Sequence, residues 1–90
     1  MHLQIRINKT FLKELSLLPT KQREVIEKFV FQEIQRFDRP SDIPGFKKLH
    51  GYDHYFRIRF GNFRAGLRIE NGILTFERLL HRKDIYKYYP

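Results

Sequence analysis

Asn71-Gly72 is the feature that most narrows what this chain can fold into. Both residues tolerate positive φ, which the tightest β-hairpin turns require, so the pair is the strongest short hairpin signal in the chain. Before it, Phe63, Ala65, Leu67 and Ile69 alternate with Arg64, Gly66, Arg68 and Glu70. That period of two predicts a strand with one apolar face. Gly61-Asn62 marks another tight turn one strand earlier, and the segment before it alternates as well. His54, Phe56, Ile58 and Phe60 share one face; Tyr55, Arg57 and Arg59 share the other. After Asn71-Gly72 a last strand is expected from Ile73 to about Leu80. Its alternation is ambiguous, because Leu74, Phe76 and Leu80 share a parity with Arg78 while Ile73 and Leu79 share one with Glu77. A bulge explains this, and so does a strand buried on both faces.

The first half of the chain reads differently. Leu3, Ile5 and Ile7 alternate with Gln4 and Arg6, as in a half-buried strand. Asn8 or Thr10 can cap the helix that follows. Phe11, Leu12, Leu15 and Leu18 lie at helical spacing, and Pro19 ends that helix. Thr20 is the expected N-cap of a longer helix with Val25, Ile26, Phe29, Val30, Ile34 and Phe37 as its apolar stripe. Phe31 falls off the stripe. The loop from Asp38 to Gly45 is rich in turn residues, and Phe46 to Gly51 leads into the sheet. The predicted order is β-α-α-β-β-β. This is an α+β fold, a small, mostly antiparallel sheet packed against an αα-hairpin, in a single domain over residues 1–90. The helices should cover one sheet face and leave the arginines on the other.

Charge is distributed unevenly. Residues 1–45 carry eight Lys/Arg against six Asp/Glu, a net +2, whereas residues 46–90 carry ten against four, a net +6. A one-sided positive field of this kind suits a nucleic acid, or an acidic protein competing for the same surface. No run approaches the roughly 20 apolar residues of a membrane span. The N-terminus is too short and too alternating for a signal peptide, so a cytoplasmic protein with no membrane partner is expected. The absence of cysteine excludes thiolate catalysis and zinc-thiolate sites. The four histidines lack zinc-helix spacing, and no nucleotide-binding or nucleophile-elbow motif occurs, so neither a metal nor a cofactor is expected.

The chemistry-bearing residues gather in the basic half. Arg57 and Arg59 share a face of one strand, and Arg64 should sit across from them on the next. Two arrangements suit so many guanidiniums. One is an arginine-glutamate ladder using Glu70 and Glu77, the strand acids within reach. The other is an anion site. Cross-strand charge pairs contribute only about 0.2–1 kcal/mol each, whereas arginine forks match phosphate geometry, which favours the anion site. Beyond the last strand, Arg82 and Tyr86 are four residues apart and would share one side of a helical turn. Asp84 stands between them and suits a cap or a partner for a neighbouring cation. Tyr88 and Tyr89 are the tyrosines expected to pack on the sheet. His81, next to Arg82, is a candidate acid or base, while His54 reads as a packed or strand-end residue.

These segments resemble a known family. Lys48-Leu49-His50-Gly51, Tyr55-Phe56-Arg57-Ile58-Arg59, Gly61-Asn62-Phe63-Arg64 and His81-Arg82-Lys83-Asp84-Ile85-Tyr86 look like the RelE/ParE superfamily of bacterial and archaeal toxins. Phe11 to Leu15 and Leu18-Pro19 look like its first helix. The resemblance implies a type II toxin-antitoxin system in which an antitoxin wraps the toxin. In the RelE branch it further implies a ribosome-dependent mRNA endonuclease, an mRNA interferase that inhibits translation. Arg64, Arg82, Tyr86 and His81 would then be catalytic, and Arg57, Arg59, Lys48 and Lys83 would bind RNA phosphates. The partners would be a cognate antitoxin, the ribosome and mRNA. RelE has lysines where this chain has Arg57 and Arg59. Arginine stays protonated far more firmly, which leaves the base open between Tyr86 and His81. Two other functions fit the same scaffold: a ParE-like inhibitor of DNA gyrase, and a non-catalytic domain that binds RNA or the antitoxin.

Overall fold

In the computed structural model, which describes residues 1–90, strand β1 (Gln4–Ile7) leads into helix α1 (Lys9–Ser16) and then α2 (Thr20–Phe31). Short 3₁₀ turns follow at Glu33–Arg36 and Pro40–Asp42. Strands β2 (Phe46–Lys48), β3 (Tyr55–Phe60), β4 (Phe63–Glu70) and β5 (Ile73–His81) come next, and one helical turn, α3 (Ile85–Tyr88), closes the chain. The five strands form one sheet in the order β1-β5-β4-β3-β2. All neighbours are antiparallel except β1 and β5, which run parallel. The segment expected only to lead into the sheet thus adds a three-residue edge strand. No helix is long and apolar enough to cross a membrane.

Local chemistry accounts for most of the element ends. The Asn8 side chain accepts a hydrogen bond from the Phe11 amide at 2.9 Å and caps α1. Thr20 is the first residue of α2 and not its cap; Pro19 precedes the helix, and no side chain caps it. The expected long second helix breaks after Phe31, where Gln32 leaves helical geometry (φ −131°, ψ −60°), and Ile34 reaches the core from the 3₁₀ turn that follows. Both hairpins form where the turn residues place them. Asn71 has φ 52° and Gly72 φ 77°, the left-handed pair expected of that turn.

The helices cover one sheet face around Phe11, Ile26, Ile58, Leu67, Leu74 and Phe76, all at most 1% exposed. Phe11 meets Phe76 with ring centroids 5.2 Å apart, and Phe29 meets Phe60 at the same separation. Val25, assigned to the apolar stripe, is instead 61% exposed. It lines an open groove with Phe29, Phe37 and Phe60.

The ambiguity of the last strand is resolved by a bulge. Leu67 pairs with Phe76 but Gly66 pairs with Arg78, which leaves Glu77 unopposed. Leu74 and Phe76 before the bulge, and Leu79 after it, therefore all enter the helix-side core. Leu80 turns to the opposite face. There it joins Leu49, Ile85, Tyr89 and Tyr55 in a second, smaller cluster. The face expected to carry the arginines thus also holds a small apolar core of its own, and α3 is seated on it. β5 runs on past the end of β1, where the Glu14 carboxylate of α1 takes the place of a neighbouring strand. It accepts from the Leu79 amide at 2.9 Å and holds Arg78 through both oxygens, at 3.0–3.3 Å.

Candidate functional site

Strand pairing brings the site together. Arg57 and Arg59 project from the same face of β3, and Arg59 lies directly across from Arg64 on β4. A carbonyl in the preceding loop fixes the β3 pair. Gly45 O accepts from the Arg59 amide at 3.2 Å and from the Arg57 guanidinium. Gly45 must be glycine, since its φ is +81° and a Cβ would meet Arg59 backbone and side-chain atoms at 3.1–3.2 Å. Arg64 is tethered to the β3–β4 turn, donating to Gly61 O at 2.6 Å and to Phe63 O at 3.1 Å. Asn62 O of the same turn accepts from the Arg82 amide at 2.8 Å, which brings the chain beyond β5 to the site.

Tyr86 completes the group. It lies 66% exposed on α3, and its phenol oxygen receives a long hydrogen bond from Arg57 Nε at 3.4 Å. The electrostatics record the crowding. Partial burial lowers the Arg64 pKa from its ordinary value, and repulsion from Arg57, Arg59 and Arg82 lowers it further, while Tyr86 acts in the opposite sense. None of these four arginines has a carboxylate within 4.0 Å. The ladder expected as an alternative does exist, but it uses another arginine. Arg68 pairs with Glu70 at 3.8 Å and with Glu77 at 3.5 Å. Directly opposed like charges destabilise a sheet, so the acid-free cluster is held in place by the fold around it and not by its own interactions.

The other candidate residues fall outside this group. His81 lies opposite Phe63 on the strand face that enters the helix-side core, and its ring is edge-on to Phe63 at 5.8 Å. Its Nδ1 accepts from the Lys83 amide at 3.2 Å. Lys83 itself is exposed in the turn before α3. Lys48 pairs with Phe56, on the helix-side parity, and its ammonium lies 3.6 Å from Asp53. Lys47 is the lysine that pairs with Arg57 and shares its face. Sequence reading missed it because a three-residue strand shows too little alternation to fix its faces, and only pairing with β3 does so. The Asp84 side chain makes no capping bond; its carbonyl accepts from the Lys87 and Tyr88 amides. Tyr89 packs on the sheet as expected, whereas Tyr88 is 60% exposed. His54 sits at the start of β3, exposed, 4.0 Å from Glu70.

Chemically, the cluster presents guanidinium forks at one sheet corner, with nothing to neutralise them and a phenol among them. It suits an anion with several oxygens, as a phosphodiester has. Within it only Tyr86 offers a hydroxyl that can both donate and accept, because the guanidiniums only donate.

No protein-family model matches the chain. It is 38% identical over 89 residues to the toxin RelE3 of Methanocaldococcus jannaschii, covering 98% of this chain and all of that one. Among solved structures, it superposes on a chain of the RelB-RelE antitoxin-toxin complex from Methanococcus jannaschii with a TM-score of 0.77 and 38% identity, covering 94% of this chain and 99% of the other. The RelBE2 toxin-antitoxin complex of Mycobacterium tuberculosis has the same fold, with a TM-score of 0.69 at 22% identity, covering 91% of this chain and all of its counterpart.

Proposed function

Because this chain belongs to the RelE family of toxins, we propose that its acid-free arginine corner binds the backbone of mRNA on the ribosome and cuts it there. One observation carries this reading. Arg57, Arg59 and Arg82 all act on Arg64 beside Tyr86, and none of the four has a carboxylate within 4.0 Å. A toxin of a type II toxin-antitoxin system is restrained by a cognate antitoxin, and a cluster this basic suits cover by an acidic segment.

The reaction needs no group from outside the RNA and the protein. The 2′-oxygen of one nucleotide attacks the adjacent phosphorus, and the bond from phosphorus to the 5′-oxygen of the next nucleotide breaks. The proton lost by the 2′-hydroxyl is balanced by one gained at the leaving oxygen. Tyr86 takes part in that transfer, since the arginines around it stay protonated. Arg64 and Arg82 stabilise the charge growing on the phosphoryl oxygens. Arg57 orients the phenol, and Arg57 and Arg59 hold flanking phosphates, with Lys47 extending the row to the sheet edge. The ribosome supplies an ordered substrate, so a modest catalytic set suffices.

Primer extension on mRNA from cells expressing the toxin tests the reading. New 5′ ends should appear within translated regions and vanish when translation initiation is blocked. Growth arrest with intact mRNA and accumulating DNA breaks would refute it and favour gyrase as the target.

A further inference from the structure

Tyr86 rides on a helical turn of only four residues, too short to hold its own shape in water. Something must fix that turn, and the structure shows what does. Ile85 and Tyr89, one helical turn apart, both point into the outer-face cluster and are 0% and 6% exposed. The Tyr89 ring lies flat against Gly66 of β4. A Cβ on Gly66 would fall 2.7–2.9 Å from the ring atoms, closer than carbon atoms approach. Beyond the ring, the Tyr89 hydroxyl donates to Glu77 Oε1 at 2.8 Å. Glu77 is the bulge residue of β5, and its other oxygen faces Arg68 Nε at 3.5 Å. The bulge thus leaves a carboxylate free to receive the phenol, and Gly66 leaves a bare patch of strand for the ring.

None of these groups belongs to the arginine cluster, yet they set where α3 lies, and α3 sets Tyr86. We infer that Tyr89, seated on Gly66 and latched to Glu77, is a positioning residue that holds the Tyr86 phenol oxygen at Arg57 for the cleavage step. The inference rests on the proposed nuclease reading. The Tyr89 ring also touches Tyr55 at 5.7 Å, two residues before Arg57 on the same face, so one aromatic contact spans the tyrosine-bearing turn and the arginine-bearing strand.

The test is a double-mutant cycle in a reconstituted ribosome–mRNA cleavage reaction, joined to NMR of the protein labelled with ¹³C at tyrosine Cζ. Tyr89→Phe keeps the ring and loses the latch; Gly66→Ala keeps every polar group and displaces the ring. Both should lower the cleavage rate at saturating ribosome, Tyr89→Phe by about 10-fold and Gly66→Ala towards the roughly 10²-fold expected of a 1 Å misplacement. The ribosome concentration at half-maximal rate should not change. In a Tyr86→Phe background neither should cause further loss. Glu77→Gln, which keeps an acceptor oxygen, should retain most of the rate, and Glu77→Leu should not. The same rate factor lost in both backgrounds, or a raised half-saturation alone, would overturn the inference. If the wild-type protein cuts no mRNA, the nuclease reading fails first, and the NMR decides the latch separately. A Tyr86 Cζ resonance displaced in Tyr89→Phe and Gly66→Ala supports it, and an unmoved resonance refutes it.

Discussion

Arg78 and Arg64 stand on neighbouring strands of one sheet, and their surroundings are opposite. Arg78 is clasped by Glu14, whose hydrogen bonds raise its pKa against the cost of partial burial. Arg64 is also partly buried, but its neighbours are three more guanidiniums, and its pKa falls. Where the fold has an acid to offer, as Glu14, Glu70 and Glu77 do for Arg78 and Arg68, arginine serves the structure. Around the β3–β4 turn and α3, by contrast, four arginines stand with no carboxylate within 4.0 Å. A fold that tolerates repulsion at one corner while pairing Arg68 and Arg78 elsewhere on the sheet fits the anion site proposed for that corner.

Exchanging the roles of paired and unpaired positions separates the two kinds of arginine. The largest effect is expected at the proton-exchanging member of the acid-free corner. Tyr86→Phe should cut the cleavage rate by about 10²–10⁴ with little change in stability, since the ring is 66% exposed; rapid-quench cleavage and thermal melting would show the two together. Next comes the clasped side. Glu14→Ala leaves Arg78 unpaired and the Leu79 amide without its acceptor, which should cost about 1–3 kcal/mol in urea unfolding and leave cleavage per folded molecule unchanged. A smaller effect is expected when an acid is placed where the fold has none. Lys47→Glu, opposite Arg57, should stabilise by about 0.2–1 kcal/mol and weaken RNA binding. A gain in binding would contradict the assignment of this face.

Tyr89 supplies a pH test of the outer-face core. Burial, then its bond to Glu77, push the phenol well above its ordinary value. A group whose folded pKa is raised stabilises fully below the unfolded pKa, about 10 for tyrosine, and that stability is lost as pH rises beyond it. The urea midpoint should therefore fall more steeply from about pH 9 to 11 (about one unit either side of that value) in the wild type than in Tyr89→Phe.

Much of this was legible in the sequence, for definite reasons. Asn71-Gly72 and Gly61-Asn62 accept the positive φ of hairpin turns, and the period-two pattern of 54–70 put Arg57, Arg59 and Arg64 on one face. A bulge was one of two readings of the last strand, but its place at Glu77 was not legible, because one inserted residue leaves no local mark beyond a confused alternation. With it went the faces of Leu80 and His81. The clasp between Glu14 and Arg78 spans 64 residues, and no local pattern announces such a contact. The exposure of Val25 was hidden because helical periodicity does not say how far a helix is rolled on its sheet. The second core under α3 was missed because a four-residue turn has too few positions to show a face.

If the arginine cluster is retained for function at some cost to the fold, Arg64→Ala separates the two, measured for melting temperature and for cleavage of ribosome-bound mRNA on the same preparation. Removing one member of the opposed Arg59–Arg64 pair should leave the melting temperature equal or slightly higher, while cleavage falls by about 10²–10³. Undiminished cleavage from a protein that melts lower would contradict it, and would make Arg64 a structural arginine like Arg78.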